Sequence, residues 1–158
     1  MKTGASCRSR DLSPVEETLE IQVPGASARL RVLVEGAHAT RCGGCGETYT
    51  SGSDQERAEL VAGAEDIRVG FRHGRTFGWT RRALGLRAAD LAGLLDVSAE
   101  TVSRWENGHR AVDRSVWNTV ADLVEDRLAG RTVTADRLRQ GARRPAAPLH
   151  VRLRPALA

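Results

Sequence analysis

Residues 84–98 read Leu84-Gly85-Leu86-Arg87-Ala88-Ala89-Asp90-Leu91-Ala92-Gly93-Leu94-Leu95-Asp96-Val97-Ser98, and residues 99–108 continue Ala99-Glu100-Thr101-Val102-Ser103-Arg104-Trp105-Glu106-Asn107-Gly108. In the first run Leu91, Ala92 and Leu95 recur at helical spacing and make one apolar face. The helix is expected to stop at Asp96, because a tight turn between packed helices needs a residue that tolerates positive φ. After glycine, Asp and Asn tolerate it best. Val97 is then placed to plug the core, and Ser98 to cap the next helix. In the second run Val102 and Trp105 fall on one side. Ala99, Glu100, Ser103 and Arg104 are left facing outward, and Gly108 ends the helix. A short helix with a polar outer face, held by a second helix through a tight turn, fits the major groove of double-stranded DNA.

Working outward, residues 76–128 read as all-helical, with helices expected near 76–84, 87–95, 98–107 and 113–128. The last of these carries Val116, Val120, Leu123, Val124 and Leu128 on one face. Trp117 lies on or beside that face, either in the core or at a dimer contact. Gly130 reads as the stop signal. A short helix is expected from Ala135 to Gln140. Beyond it Arg143-Arg144-Pro145, Pro148 and Pro155 read as a disordered basic tail.

The run from Val97 to Gly108 resembles the recognition helix of the Xre/Cro-like repressor family, and Leu86…Asp90-Leu91-Ala92…Leu95 resembles that family's preceding helix at the correct offset. The resemblance implies roles. Ala99, Glu100 and Arg104 match positions that face base edges, with Arg104 suited to guanine O6 and N7 and Glu100 to cytosine N4. Thr101 and Ser103 lie on the same DNA-binding helix. Ser98 and Asn107 match backbone-contact positions. Glu106 matches a glutamate that pairs, partly buried, with an arginine of the first helix, here Arg81. The family usually carries Gln where this chain has Ala88, so Arg87 is expected to meet phosphate instead. The family binds palindromic operators as two-fold dimers, which implies a homodimer.

The N-terminal part has a different character. Residues 1–66 hold 7 basic and 11 acidic side chains, a net of −4, whereas residues 67–158 hold 17 and 9, a net of +8. All 24 basic residues but Lys2 are arginine, a bias that suits phosphate contacts and that a GC-rich genome also produces. The first fifteen residues look irregular. Leu19, Ile21 and Val23 alternate with Glu20 and Gln22, and Leu30, Val32 and Val34 with Arg29, Arg31 and Leu33, around Pro24-Gly25, which predicts a hairpin. A second turn is expected at Glu35-Gly36, then a short stretch Ala37–Arg41. Cys42-Gly43-Gly44-Cys45 reads as a metal knuckle, followed by β-prone Thr48-Tyr49-Thr50. Ser53 or Asp54 is the expected cap of a helix running to about His73, with Gly70, Gly74 and Gly78 loosening the chain around its end.

Two thiols at this spacing can share one tetrahedral zinc, and the glycines let backbone amides approach the sulfurs. Cys7 is the third candidate. A fourth is missing: the position that would complete Cys7-x-x-Cys is Arg10. His38 and Asp11 are nearby alternatives, and a degenerate site without metal is equally open. The order of elements resembles the MqsA antitoxin family and its YgiT-type zinc-finger relatives. The resemblance implies zinc at Cys7, Cys42 and Cys45, neutralisation of a ribonuclease toxin by the N-terminal module, and repression of the shared operon. A stand-alone regulator whose N-terminal module senses metal or binds another protein is the other reading.

The expected fold class is therefore α+β: a small β-rich zinc-knuckle-like module (1–52), a connecting helix or linker (53–75), an Xre/Cro-like helix-turn-helix domain (76–130) and a basic tail (131–158). No catalytic constellation is evident, since His38, His73, His109 and His150 are scattered, and an enzyme is not expected. With no long apolar run and no signal-like N-terminus, a cytoplasmic protein that enters no membrane is expected. Three cysteines, an odd number, argue against a disulfide framework.

Overall fold

The computed structural model describes residues 7–25, 29–70 and 72–141. The chain runs β1 (Leu12–Pro24), β2 (Arg29–Cys42), β3 (Thr48–Thr50), α1 (Gly52–Arg68), α2 (Gly74–Ala83), α3 (Ala88–Leu95), α4 (Ala99–Glu106), α5 (Arg114–Leu128) and α6 (Val133–Gly141). The strands form one antiparallel sheet in the order β1-β2-β3. A three-stranded sheet followed by helices is the expected α+β class.

The hairpin is longer than its alternation suggested. Residues 12–15, expected to be irregular, are strand, and Glu35-Gly36 is not a turn. Glu17 pairs with Ala37 while Leu19 pairs with Val34, so β2 carries one extra residue opposite Thr18. Gly36 takes φ +76° at that point, the left-handed backbone that glycine enters without a Cβ penalty. The bulge has a packing reason. Val32 and Val34 lie at even positions, whereas the buried Ala37 and Ala39 lie at odd ones. One inserted residue keeps both pairs on the same face of the sheet.

α1 lies across that face. Ala58 and Ala62 bury against Ile21 and Val23, with Leu19, Val32, Val34 and Trp79 closing the cluster. The helix is capped by Ser51, whose hydroxyl accepts from the Asp54 N–H, not by Ser53 or Asp54. It ends at Arg68, and α2 begins as a separate helix at Gly74. Small residues set the α1–α2 approach: a Cβ on Gly63 would lie 3.1 Å from both Thr80 Oγ1 and the Trp79 ring.

The helical core is built on Phe77, Leu91, Val102, Trp105, Trp117 and Val120, joined by Ile67 from α1. Phe77 sits edge-on to both indoles, 5.8 Å from Trp105 and 5.3 Å from Trp117. Trp117 is fully buried, which settles its place in the core. Burying such an indole removes on the order of 200 Å² from water, about 5 kcal/mol in area terms. On α3 the third buried residue is Leu94, with Leu95 half-buried. α6 docks Ala135 and Leu138 on this core, so the folded unit continues past Gly130. The proline-containing segment after it lies outside the described residues.

Candidate nucleic-acid interface and cysteine cluster

α3 and α4 meet through Asp96, which takes φ +53° and ψ +45° at the end of α3. Its backbone N–H bonds to Ala92 O, and the half-buried Val97 packs on the core. Ser98 Oγ then accepts from the Thr101 N–H at 3.1 Å and lies 3.0 Å from Thr101 Oγ1. Val102 and Trp105 turn inward and are buried. Ala99, Glu100, Ser103, Arg104 and Asn107 are exposed, and Thr101 is half-exposed. Asn107 Nδ2 donates to Ser103 O at 2.9 Å, closing the C-terminal turn.

A buried ion pair fixes the attitude of α4. Arg81 of α2 is 10% exposed and Glu106 17%. Arg81 Nε donates to Glu106 Oε1, Nη2 to Oε2 at 3.1 Å, and Nη1 to Leu86 O at 2.6 Å. A guanidinium fork thus ties α2 both to the last turn of α4 and to the loop before α3. Two glycines make room for it. A Cβ on Gly78 would lie 3.0 Å from Glu106 Cδ, and one on Gly74 would fall 2.0 Å from Trp105 O. These glycines were expected to loosen the region. They instead let α2 approach α4 more closely than any side chain allows.

Both arginines expected to touch DNA are held by carboxylates of their own helices. Glu100 Oε1 accepts from Arg104 Nη2 at 2.7 Å, an exposed i,i+4 pair. Asp90 accepts from Arg87 Nε and Nη2 at 2.9 and 2.8 Å, and from the Arg87 backbone N–H at 2.9 Å. These contacts, the Arg87 side chain first, hold Asp90 down at about 2. Ala88 is half-buried and packs on the helical core, so it offers little to a ligand. An exposed pair of this kind is worth about 0.3–0.5 kcal/mol, whereas a bidentate guanine contact discriminates by about 1–3 kcal/mol. The Glu100 pair is therefore weak enough to release the Arg104 side chain to a stronger acceptor.

The three cysteines come together at the end of the hairpin away from the Pro24-Gly25 turn. Their sulfurs all lie within 4.8 Å of one another, with Cys7 Sγ 3.4 Å from Cys42 Sγ. Cys42 is buried, while Cys7 and Cys45 are exposed. The Cys45 backbone N–H, the Cys7 side chain and the Gly44 N–H lower the Cys42 thiol to about 7. The Ser9 N–H lowers Cys7, but hydrogen bonding to Cys42 and Cys45, burial and the charge on Cys42 leave it raised overall. Tetrahedral thiolate bonds of about 2.3 Å require sulfur–sulfur edges near ~3.8 Å, so these donors fit three corners of a zinc or similar soft-metal site. His38 does not join them: it is 82% exposed and its Nδ1 lies 3.7 Å from Asp54 Oδ1. Asp11 is closer and turns its carboxylate over Gly43, yet it stands outside the ligand group.

Residues 73–125, about a third of the chain, match the family model described as a helix-turn-helix domain. With the αL turn and the exposed face of α4, this match suggests a DNA-binding module of the regulator class in the C-terminal part. No curated protein and no solved structure gives a significant match to the chain. Among the described residues no helix is long and apolar enough to cross a membrane.

Several site features had no clear signal in the sequence. Asp90 as the partner of Arg87 has one in hindsight, being an acidic residue at the third helical position. Asp66 had none. It is 2% exposed, and among the described residues neither carboxylate oxygen finds a hydrogen-bond partner of normal geometry.

Proposed function

We propose that the protein is a sequence-specific double-stranded-DNA-binding transcriptional repressor that places α4 in the major groove. One observation carries the reading: α4 exposes Ala99, Glu100, Ser103 and Arg104 while Trp105 and the Arg81–Glu106 pair fix its buried side. Such a helix keeps its orientation when it enters a groove. Arg104 reads guanine, Glu100 accepts from cytosine N4, and Ala99 offers a methyl to thymine. Ser98, Thr101, Asn107 and Arg87 serve the phosphates. Two copies on a palindrome would set their recognition helices about 34–36 Å apart, so the active form is a homodimer.

The N-terminal module supports the antitoxin form of this reading over the stand-alone regulator. A cysteine-closed hairpin precedes the DNA-binding part, and the first 66 residues carry a net charge of −4, which complements a basic ribonuclease toxin. In this reading zinc is held by Cys7, Cys42 and Cys45, and the repressor controls its own operon.

The test is a titration of Arg104→Ala and Arg87→Ala against operator and scrambled duplex at two salt concentrations. Arg104→Ala should cost about 1–3 kcal/mol on the operator and leave scrambled DNA nearly unchanged. Arg87→Ala should weaken both duplexes alike and flatten the salt dependence. Equal weakening of both duplexes by Arg104→Ala would show that α4 does not read bases. Co-purification of a basic ribonuclease encoded next to this chain, lost on removing residues 1–50, tests the antitoxin part.

A further inference from the structure

The cysteine cluster contains two turns, and only one of them carries its second cysteine. At Cys42 the backbone N–H groups of Gly44 and Cys45 point to the sulfur. At Cys7 the N–H of Ser9 does the same. Between Cys7 and Ser9, Arg8 takes φ +58°, a backbone that costs a residue with a side chain about 1 kcal/mol or more. A strand entry does not need that conformation, whereas a knuckle that aims an N–H at a thiolate does. The turns interlock: a Cβ on Gly44 would lie 2.8 Å from Ser9 Cβ and 3.3 Å from Cys7 Sγ. Residues 7–10 thus form a knuckle whose last position is the exposed Arg10.

Among the described residues the fourth corner of the site is left without a protein donor. Among the described residues no histidine or carboxylate joins the three sulfurs. The remaining sequence contains one histidine, His150, and no cysteine, aspartate or glutamate.

We propose that Cys7, Cys42 and Cys45 form a three-thiolate metal site with an open fourth corner, and that this corner takes a small exogenous thiolate. The proposal rests on the reading of the cysteine cluster as a metal site. Structural zinc sites are closed by four protein ligands, whereas sites with three keep a position for an exchangeable one. A soft ion already bound by three sulfurs favours a soft fourth donor over oxygen. Charge decides whether an anion can enter. Three thiolates on a divalent ion leave a net −1, and a fourth would make −2. Arg8 and Arg10, both exposed on the incomplete turn, offset that charge. The thiol enters as its thiolate and its proton passes to solvent, with no change of oxidation state. The N-terminal module is in this way a receptor for a low-molecular-weight thiol.

The test uses the full-length chain loaded anaerobically with Co(II) and titrated with 2-mercaptoethanol. The ligand-field bands should shift saturably, and sulfur-to-cobalt charge-transfer absorption should rise by about one third as three thiolates become four. Arg10→Cys should show the four-thiolate spectrum without added thiol, ignore 2-mercaptoethanol, and bind zinc more than about tenfold more tightly. X-ray absorption of the wild-type zinc form provides a measurement independent of that variant: three sulfur scatterers and one light atom are expected, becoming four sulfurs with thiol. A bound metal whose spectrum ignores the thiol would overturn the open corner and leave the metal reading standing. Failure to bind either Co(II) or Zn(II) would overturn both.

Discussion

Glu106→Ala tests what holds α4 in place. Arg81 and Glu106 are 10% and 17% exposed, so their charges are largely withdrawn from water. Of the three Arg81 hydrogen bonds, two end on Glu106 and one on Leu86 O. Truncating Glu106 leaves a buried guanidinium with a single carbonyl partner. Stranding one member of a buried pair costs about 3–5 kcal/mol. For a chain of this size each kcal/mol lowers Tm by about 2–4 °C, so the midpoint should fall by roughly 6–20 °C. Urea denaturation followed by tryptophan fluorescence gives the free energy directly, since Trp105 and Trp117 are buried in the core that melts. Much of the loss is the stranded charge, so Arg81→Met combined with Glu106→Leu should recover most of it. A loss under about 1 kcal/mol for Glu106→Ala would put the pair in the class of solvated surface bridges, and the argument that it fixes α4 would fail.

Glycine substitutions should move stability in opposite directions. Gly74→Ala should destabilise by about 1–3 kcal/mol, because its Cβ meets Trp105 O at 2.0 Å and helix propensity cannot offset that clash. Gly93→Ala, exposed within α3 with nothing inside 4 Å of its Cβ, should stabilise by about 0.5–1 kcal/mol; equal signs in urea melts would refute the packing account. Burial pushes Asp66 up to about 6, and Thr76 gives it little, because the Thr76 hydroxyl donates to Pro24 O. The native state then holds that proton more tightly than the unfolded chain, so this contribution is complete below about pH 4 and lost as pH rises through about 6. Asp66→Asn should therefore gain up to about 3 kcal/mol at pH 7.5 and far less near pH 4, and a gain independent of pH would refute it. Elemental analysis should find about one zinc per chain, lost in Cys42→Ser, and a metal-free wild type with an intact fold would count against the site.

The helix-turn-helix was legible because each of its signals is local. Asp96 at the αL position, Ser98 at the cap, and Val102 with Trp105 at i,i+3 are set by backbone conformation and by one apolar face, and the structure places all of them as read. The Arg81–Glu106 pair was legible through resemblance. The hairpin was half legible. The start of its first strand was missed because residues 1–15 hold Ser, Gly and Pro without a period, although a strand at the edge of a sheet tolerates a proline such as Pro14. The bulge was present as a change of phase between Val34 and Ala37, which an eye searching for a turn at Glu35-Gly36 passes over. Gly74 and Gly78 were misread because a glycine's role depends on what approaches it. Here that is the α4 backbone and Glu106, about thirty residues away in sequence.

α1 shows why a connector and a core helix are hard to tell apart from one sequence. Leu60, Val61, Ala64 and Ile67 give it a mostly helical apolar face, and Gly70, Gly74 and Gly78 read as loosening its end, yet it serves two cores. Ala58 and Ala62 face Ile21 and Val23 of the sheet, while one turn further on Ile67 enters the cluster of Phe77 and Trp117. A three-stranded sheet whose buried apolar residues, among those described, are Ile21, Val23, Ala37, Ala39 and Cys42 has too little core to stand alone. It gains that core from α1 and from Trp79 of α2. Thr76 of α2 adds a hydrogen bond across the same boundary to Pro24 O at 2.9 Å. The helix that grips α4 through Arg81 therefore also carries the side chains that receive the hairpin. Small size at Ala58, Ala62 and Gly63 is what permits both contacts, since larger residues would lift α1 from the sheet or from Thr80. Those small residues are what let α1 join the cysteine-bearing hairpin to the helix-turn-helix region.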